Sequence, residues 1–136
     1  MATNRREWAN RMVELWNTGD IETWLDEVGP DFEFTPDPTF PDSGLYQGES
    51  LREWMRAWMK TWKDNQFELL DYSEIGDASV GRSRWHLAAP DSGEGVPVQD
   101  FTIIIWWDGL DPDQPSGMAA FFKHEEALAA IEERTG

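Results

Sequence analysis

The stretch over residues 51–75 reads LREWMRAWMKTWKDNQFELLDYSEI, and its hydrophobic period changes near the middle. Up to Trp62, large apolar side chains recur in steps of three and four, which is the spacing of one face of an α-helix. Ser50 and Glu53 form a capping box at the start of this helix. From Gln66 onward the pattern is that of short β-strands. The stretch therefore predicts that a helical half of the chain ends here and a β-rich half begins.

Two more helices are predicted upstream of this stretch. Residues 3–17 carry apolar side chains at helical spacing, and Gly19 follows as an end signal. Asp20 is a typical N-cap for a short second helix over residues 21–28. The segment DFEFT that comes next alternates between polar and aromatic residues, and it predicts a strand ahead of a proline-rich loop.

The second half of the chain predicts an antiparallel sheet. Its β-type segments are residues 67–75, 78–88, 96–107 and 117–123, and a last amphipathic helix covers 124–134. Helices followed by antiparallel strands indicate an α+β fold, in which one face of a curved sheet packs on the helices and encloses a cone. A chain of 136 residues is expected to form one domain, 1–136.

The charge and composition exclude some classes of partner. The chain has 27 acidic and 11 basic residues, a net charge of −16, so its field repels phosphate backbones and anionic lipid surfaces. With no cysteine and only two histidines, no metal site of the usual kind is predicted, and no cofactor motif is present. No apolar run approaches the roughly 20 residues of a membrane span, and no signal peptide is visible. We therefore expect a cytoplasmic protein that binds neither nucleic acid nor membranes.

Four segments together resemble the SnoaL-like polyketide cyclases, in the superfamily of nuclear transport factor 2 that also holds ketosteroid isomerase and limonene epoxide hydrolase. They are LWNTGDIETWLDEVGPDFEF at 15–34, FPDSGLYQGESLREW at 40–54, FTIIIWWDG at 101–109 and FFKHEEALAAI at 121–131. The resemblance implies a cone-shaped α+β barrel with an apolar pocket between sheet and helices, and a homodimer through the outer sheet face. It does not imply a reaction, because this fold hosts isomerases, cyclases, hydrolases and binding proteins.

The resemblance to ketosteroid isomerase implies positions for its catalytic groups. That chemistry needs a carboxylate base and two hydrogen-bond donors for an enolate oxygen. Met12 and Ile103 stand at the two donor positions, and neither side chain can donate. The base position corresponds, to within one residue, to Asp37 in the segment PDP. Asp37 is therefore a candidate base, although an aspartate beside prolines is more typical of a turn.

Arg82, Arg84 and His86 alternate along one predicted strand and therefore share a face. If this face points into the cone, Arg84 and His86 are candidate catalytic groups, and Arg82 is a candidate ligand-binding group for a carboxylate or enolate oxygen. If the face points outward, the three side chains pair with Asp and Glu, and Trp85 points inward instead. A register shift of one residue exchanges these interpretations. Limonene epoxide hydrolase has an arginine and an aspartate two apart on a strand, and Arg84 stands here in place of that aspartate.

Both faces of the strand over 96–107 are apolar. Ile104 and Trp106 on one face are candidates for a homodimer interface, and ordinary core packing explains them equally well. The opposite face is expected to line the cone and to bind ligand through Phe101, Ile103 and Ile105.

The tryptophan ladder of the third helix supplies more candidates for ligand binding. Trp54, Trp58 and Trp62 follow at four-residue steps, which drift by about 40° each around a helix. We therefore expect Trp54 and Trp58 to face the cone, and Trp62 to pack at the sheet edge. The other candidates for ligand binding, from the first helix, the first strand and the loop, are Met12, Trp16, Phe34 and Tyr46.

The sequence thus predicts a protein that binds a small hydrophobic, ring-containing metabolite in an aromatic-lined pocket of a few hundred cubic ångströms. If the protein is an enzyme, a cofactor-independent isomerisation or cyclisation of a ketone is the expected class. Two alternatives stay open. One is a non-catalytic dimeric domain whose own tryptophans fill the cone, and the other is an enzyme similar to epoxide hydrolase.

Overall fold

The computed structural model describes residues 4–39, 44–61, 66–86, 99–111 and 113–135. The helices in these ranges are α1 (Arg5–Asn17), α2 (Ile21–Val28), α3 (Glu49–Thr61) and α4 (His124–Thr135). The strands are β1 (Glu33–Thr35), β2 (Tyr46–Gln47), β3 (Gln66–Ile75), β4 (Ala78–His86), β5 (Gln99–Trp106) and β6 (Gly117–Phe121). The predicted α+β class is confirmed. None of the described helices is both long and apolar enough to cross a bilayer.

Side-chain caps and a glycine set the ends of the first two helices. The side-chain oxygen of Asn4 accepts two backbone N–H groups of the first turn at 3.1 Å, so α1 begins at Arg5. Asp20 caps α2 as predicted, because its carboxylate accepts from the backbone N–H of Thr23. Gly29 follows α2 with φ of 81°, a backbone conformation that glycine adopts without strain.

The start of α3 differs from the prediction. The helix begins at Glu49, so Ser50 lies in its first turn and is not the N-cap. The Ser50 hydroxyl instead donates to the carbonyl of Gln47 at 2.9 Å and accepts from the same residue's N–H at 3.0 Å. The predicted capping box is therefore wrong. Trp62, the last rung of the ladder, lies outside the described residues.

The six strands form one sheet in the order β2-β1-β6-β5-β4-β3. β1 pairs with β6 in parallel, and the other neighbours are antiparallel. α1 packs along the edge strand β3 and is tied to it at both ends. The Asn17 carboxamide exchanges two hydrogen bonds with the backbone of Phe67, at 2.7 and 2.8 Å, and Arg5 donates to the carbonyl of Gly76 at 3.0 Å. These ties hold α1 across the open side of the sheet and close the cone.

The two faces of the sheet are covered by different helices. α1, α2 and α3 contribute to the core on the inner face. On the outer face, α4 packs Ala127 and Ile131 against Val80, Ile104 and Trp106. Ile104 and Trp106 were candidates for a dimer interface, but they are 0 % and 6 % exposed because α4 of the same chain covers them. The core-packing alternative therefore holds for these two residues.

Candidate ligand cavity

A cavity of about 100 Å³ lies between the inner face of the sheet and the helices. Its lining is almost entirely apolar. The helices contribute Trp8, Ala9, Met12, Val13, Trp16, Trp24, Trp54 and Met55. The strands contribute Phe34, Phe67, Leu69, Tyr72, Ser79, Gly81, Ser83, Trp85, Ile103, Ile105, Met118 and Ala120. The volume is below the few hundred cubic ångströms expected from the sequence, so these walls are too close together for a ligand of polyketide size.

The space exists because β4 turns small residues toward the cone. Ser79, Gly81 and Ser83 alternate on the inner face of this strand and are all buried. A β-carbon at Gly81 would lie 2.8 Å from Cδ1 of Leu69, so glycine lets the Leu69 side chain cross the strand. The tryptophans of the helices therefore have space between them and β4.

The same alternation turns Arg82, Arg84 and His86 to the outer face of β4. Arg84 pairs with Asp100 on β5, with 2.8 Å between Nε and Oδ1, and Nε2 of His86 lies 3.6 Å from Oε1 of Glu68. None of the three lines the cavity. This placement corrects the inward interpretation, in which Arg84 and His86 were catalytic candidates and Arg82 bound a ligand oxygen. The outward interpretation fits the observed register.

Asp37 is also placed away from the cavity, although it is 2 % exposed. Its carboxylate accepts hydrogen bonds from the backbone N–H and the hydroxyl of Thr39, and from the backbone N–H of Phe122 at 2.8 Å. Burial alone raises the pKa of Asp37, but these hydrogen bonds outweigh it and lower the pKa below its ordinary value. Asp37 therefore stays ionised as a tie between the loop after β1 and the end of β6, which corrects its assignment as a base.

A β-bulge in β3 brings Tyr72 into the cone. Phe67 and Leu69 face inward at alternate positions, and the pairing with β4 then shifts between Leu69 and Asp71. The extra residue leaves Leu70 and Asp71 both exposed and turns Tyr72 inward. Strict alternation would have pointed Tyr72 to the outer face. This is why sequence reasoning missed it as a cavity residue.

Tyr72 belongs to a buried hydrogen-bonded chain at one side of the cavity. Its hydroxyl lies 2.9 Å from Oγ of Ser79, which accepts from Nε1 of Trp107 at 2.9 Å. The same hydroxyl donates to Oε2 of Glu74 at 3.2 Å. Burial, together with the charge of Glu74, raises the pKa of Tyr72 above its ordinary value despite the bond to Ser79. Tyr72 is therefore a neutral phenol at physiological pH.

A stack of aromatic rings fills the part of the cone beside the cavity. Trp54 stacks on Trp58 with 5.3 Å between ring centroids, Trp58 on Trp85 at 4.8 Å, and Trp85 on Phe101 at 5.0 Å. Trp58 and Phe101, both predicted to bind ligand, are members of this stack and do not line the cavity. Tyr46 is likewise outside the lining and packs its ring on Trp54 at 5.6 Å.

The remaining predicted ligand-binding residues meet at the cavity. They are Met12, Trp16, Phe34, Trp54, Ile103 and Ile105. Sequence reasoning missed the lining from α2, β3 and β6, including Trp24, Phe67 and Met118. The small inward residues of β4 were a readable signal, because SVGRS alternates small side chains with larger ones.

A second, polar concavity of about 340 Å³ lies on the outer face, beside the start of α4. Arg82, Arg84 and Asp100 border it. His124, the first residue of α4, is half-buried there, and its Nδ1 lies 3.0 Å from Oγ1 of Thr102. Among the described residues, no group of three or more His, Asp or Glu is arranged to hold a metal ion.

Known structures share this architecture at low sequence identity. A SnoaL-like polyketide cyclase from Shewanella denitrificans is 13% identical with a TM-score of 0.70, the match covering 94% of this chain and 96% of that one. A nuclear transport factor 2-like protein from Burkholderia thailandensis is 19% identical with a TM-score of 0.72, covering 96% and 98%. A protein with a ketosteroid isomerase-like fold from Catenulispora acidiphila, in complex with trimethylamine, is 7% identical with a TM-score of 0.70, covering 89% and 88%. These similarities establish the fold.

Sequence comparison gives a family as well as a fold. No curated protein matches the chain. Residues 9–110, which include every cavity-lining position of α2, α3, β3, β4 and β5 and those of α1 except Trp8, match the family of the SnoaL-like domain. The match covers more than half of the 136 residues. The chain therefore belongs to the SnoaL-like domain family.

Proposed function

We propose that this protein binds a small molecule with an apolar body in the tryptophan-lined cavity of its cone. The observation that carries the proposal is the cavity itself, a space of about 100 Å³ that the small inward residues of β4 keep open beside a core otherwise filled with aromatic rings. Apolar cavities of about 150 Å³ stay dry and admit benzene, so a ligand of roughly benzene size or smaller suits this one.

Acid/base catalysis has little support at this site. The lining, as far as the structure describes it, contains no Asp, Glu, His, Lys or Arg. Tyr72 is the titratable group there, and its raised pKa keeps it protonated. Isomerisation or cyclisation of a ketone needs a base within hydrogen-bond reach of the substrate, and Asp37 and His86 both lie elsewhere. Binding is thus the better-supported function.

The alternative of a cone filled by its own tryptophans rests on a specific observation. Trp54, Trp58, Trp85 and Phe101 form one stack, so aromatic side chains already occupy much of the interior. In that case the remaining cavity is a packing defect without a ligand.

A titration with a blocked cavity separates these functions. Ala120→Leu adds three carbons at a lining position, and Ala129→Leu makes the same change at an exposed position of α4. Benzene and 3,3-dimethylbutan-1-ol are added to each protein while tryptophan emission and melting temperature are followed. We expect saturable binding to the wild type and to the Ala129 variant, and its loss in the Ala120 variant. Absence of saturable binding to the wild type, or equal binding to both variants, contradicts the proposal.

Homodimerisation and a cytoplasmic location stay predictions. Native mass spectrometry of the gently purified protein tests the first, and the same spectrum gives the mass of any ligand that copurifies.

A further inference from the structure

The hydroxyl groups of the cavity wall have a definite direction of hydrogen bonding. Among the lining residues, hydroxyl groups belong to Tyr72, Ser79 and Ser83. Ser83 donates to the carbonyl of Gly81 at 3.1 Å. Ser79 accepts from Trp107, and the bond between Ser79 and Tyr72 can run either way by geometry alone. The direction of that bond decides what the wall offers to a ligand.

In one arrangement, every N–H and O–H proton of this hydrogen-bonded chain has an acceptor. If Ser79 donates to Tyr72, the Tyr72 proton goes to the carboxylate of Glu74, and a charged acceptor makes the stronger bond. In the opposite direction the Ser79 proton has no acceptor among the described residues, and Ser79 is 2 % exposed, so an unmade bond is costly. The protons therefore run from Trp107 through Ser79 and Tyr72 to Glu74. The hydroxyl protons of the wall are therefore all used within the protein, and none is left to donate to a ligand.

Aromatic rings make up a large part of the rest of the lining. Eight of the twenty lining residues are aromatic, five of them tryptophans, and three more are methionines. Aromatic faces attract cations, and tryptophan does so most strongly. The protein uses this attraction elsewhere, since Arg134 lies 4.4 Å from the ring centroid of Trp106 and Arg5 lies 5.4 Å from that of Trp107. No cationic side chain of the described chain occupies the cavity lining.

The electrostatic field of the whole molecule also favours a cationic ligand. A net charge of −16 draws small cations toward the protein and repels anions. Moving an unsubstituted ammonium ion into an apolar cavity is costly because it loses its hydration. Methyl groups on the nitrogen spread the charge and give the cation an apolar surface, so this cost is smaller. From the hydroxyl directions, the aromatic lining and the net charge, we infer that the ligand is a small alkylated ammonium ion.

This inference rests on the proposed function, and three probes of one shape test it. The three compounds each carry three methyl groups on one central atom. In choline this head is a cationic trimethylammonium group. In 3,3-dimethylbutan-1-ol and 3,3-dimethylbutanoate it is a neutral tert-butyl group, and the butanoate also carries a negative carboxylate. Isothermal titration of the wild-type protein at low salt is expected to give choline an affinity about tenfold above that of the alcohol, with no binding of the carboxylate. Added salt is expected to weaken choline binding and to leave the alcohol unchanged.

A variant of the cavity lining tests whether the preference for choline over the alcohol comes from the tryptophans of the cavity. Trp54→Leu removes one indole from the lining, and we expect the ratio of choline to alcohol affinity to fall severalfold. Arg84→Gln, on the outer face, is expected to leave the ratio unchanged. If the alcohol binds as tightly as choline to the wild type, the inference is overturned and the proposed function stands. If neither compound binds, both fail.

Discussion

Asp37 illustrates how a residue's role depends on groups far away in sequence. Its position between two prolines suggests a turn, and its correspondence to a catalytic carboxylate suggests a base. Neither the sequence nor the resemblance identifies Phe122, which is 85 residues away, as its partner. The hydrogen bonds from Phe122 and Thr39 keep the carboxylate charged in a buried site, so the residue stabilises the fold.

We predict that Asp37→Asn destabilises the protein by about 2 kcal/mol at neutral pH, because the carboxamide nitrogen replaces one carboxylate oxygen and faces a backbone N–H that then has no acceptor in a buried site. The folded-state pKa of Asp37 is lowered, so its stabilising effect is present above the ordinary pKa of 3.8 and is lost as the pH falls through the folded value. Urea denaturation between pH 7 and strong acid measures this. The difference between wild type and variant should shrink on acidification. A constant difference over the whole range contradicts the assignment.

The role of Gly117 also depends on a group far away in sequence, in this case a backbone carbonyl. A β-carbon there would lie 2.7 Å from the carbonyl oxygen of Glu33, across the parallel pair β1–β6. We predict that Gly117→Ala separates the two strands and lowers the melting temperature by several degrees. Gly81→Ala is a matched control, because the atom nearest to its β-carbon, at 2.8 Å, is the side-chain end Cδ1 of Leu69 and not a backbone atom. A larger loss in the Gly81 variant would contradict this explanation.

At the scale of elements, an ion pair near its C-terminal end adds to the packing that holds α4 on the sheet. Arg134 donates to both carboxylate oxygens of Asp108, at 2.6 and 2.9 Å, and Ser116 donates to the same carboxylate at 2.8 Å. The hydrogen bond from Arg134 has the largest effect and lowers the pKa of Asp108 to about 2. Because both groups are about one-third exposed, solvent screening limits the contribution to about 1 kcal/mol.

We predict that Arg134→Gln loosens α4 from the outer face and speeds hydrogen exchange of its amides severalfold. In the wild type the same loosening should appear on acidification. The folded pKa of Asp108 is lowered, so the stabilisation is complete above pH 3.8 and is lost as the pH falls toward about 2. Arg84→Gln breaks a more exposed pair and should leave α4 unchanged. Equal exchange of α4 amides in the two variants would contradict the prediction.

An aromatic stack joins the third helix to the sheet. Trp58 lies between Trp54 and Trp85, so its removal breaks two ring contacts at once. We predict that Trp58→Leu lowers the free energy of unfolding by about 2–3 kcal/mol and reduces the near-ultraviolet circular dichroism. Lys60→Leu, on the exposed side of the same helix, should change both by little. An unaltered dichroism spectrum in the Trp58 variant would show that the stack is not rigid in solution.

For the whole molecule, the net charge of −16 opposes compactness through self-repulsion. We predict that the melting temperature rises between about 10 mM and about 500 mM sodium chloride, because the Debye length falls from roughly 30 Å to a few ångströms over this range. Differential scanning calorimetry measures the rise. Surface ion pairs weaken under the same conditions, so a falling melting temperature would mean that they outweigh the repulsion.

The general architecture could be predicted because it depends on local patterns. Helical spacing gave α1, α2 and α3, β-type segments gave the sheet, and the order of segments gave the family resemblance. Prediction was weaker at the cavity. Met12 and Trp16 on α1 and Ile103 and Ile105 on β5 were found. Tyr72 was missed because a bulge reverses the alternation of β3. Trp58 and Phe101 were assigned to the cavity because spacing gives the face of an element, not the depth to which each side chain reaches.

The sequence by itself determined the α+β class, the caps of α2, the aromatic face of α3 and the acidity, since these follow from spacing and composition. Only the tertiary structure decided which face of β4 looks inward, because a register shift of one residue exchanges Arg82 and Arg84 with Ser83 and Trp85. It also decided that Asp37 is a structural tie and that Trp106 is covered by α4, since both depend on distant partners. The size of the cavity also depends on the tertiary structure, because residues from eight elements pack together to form its walls.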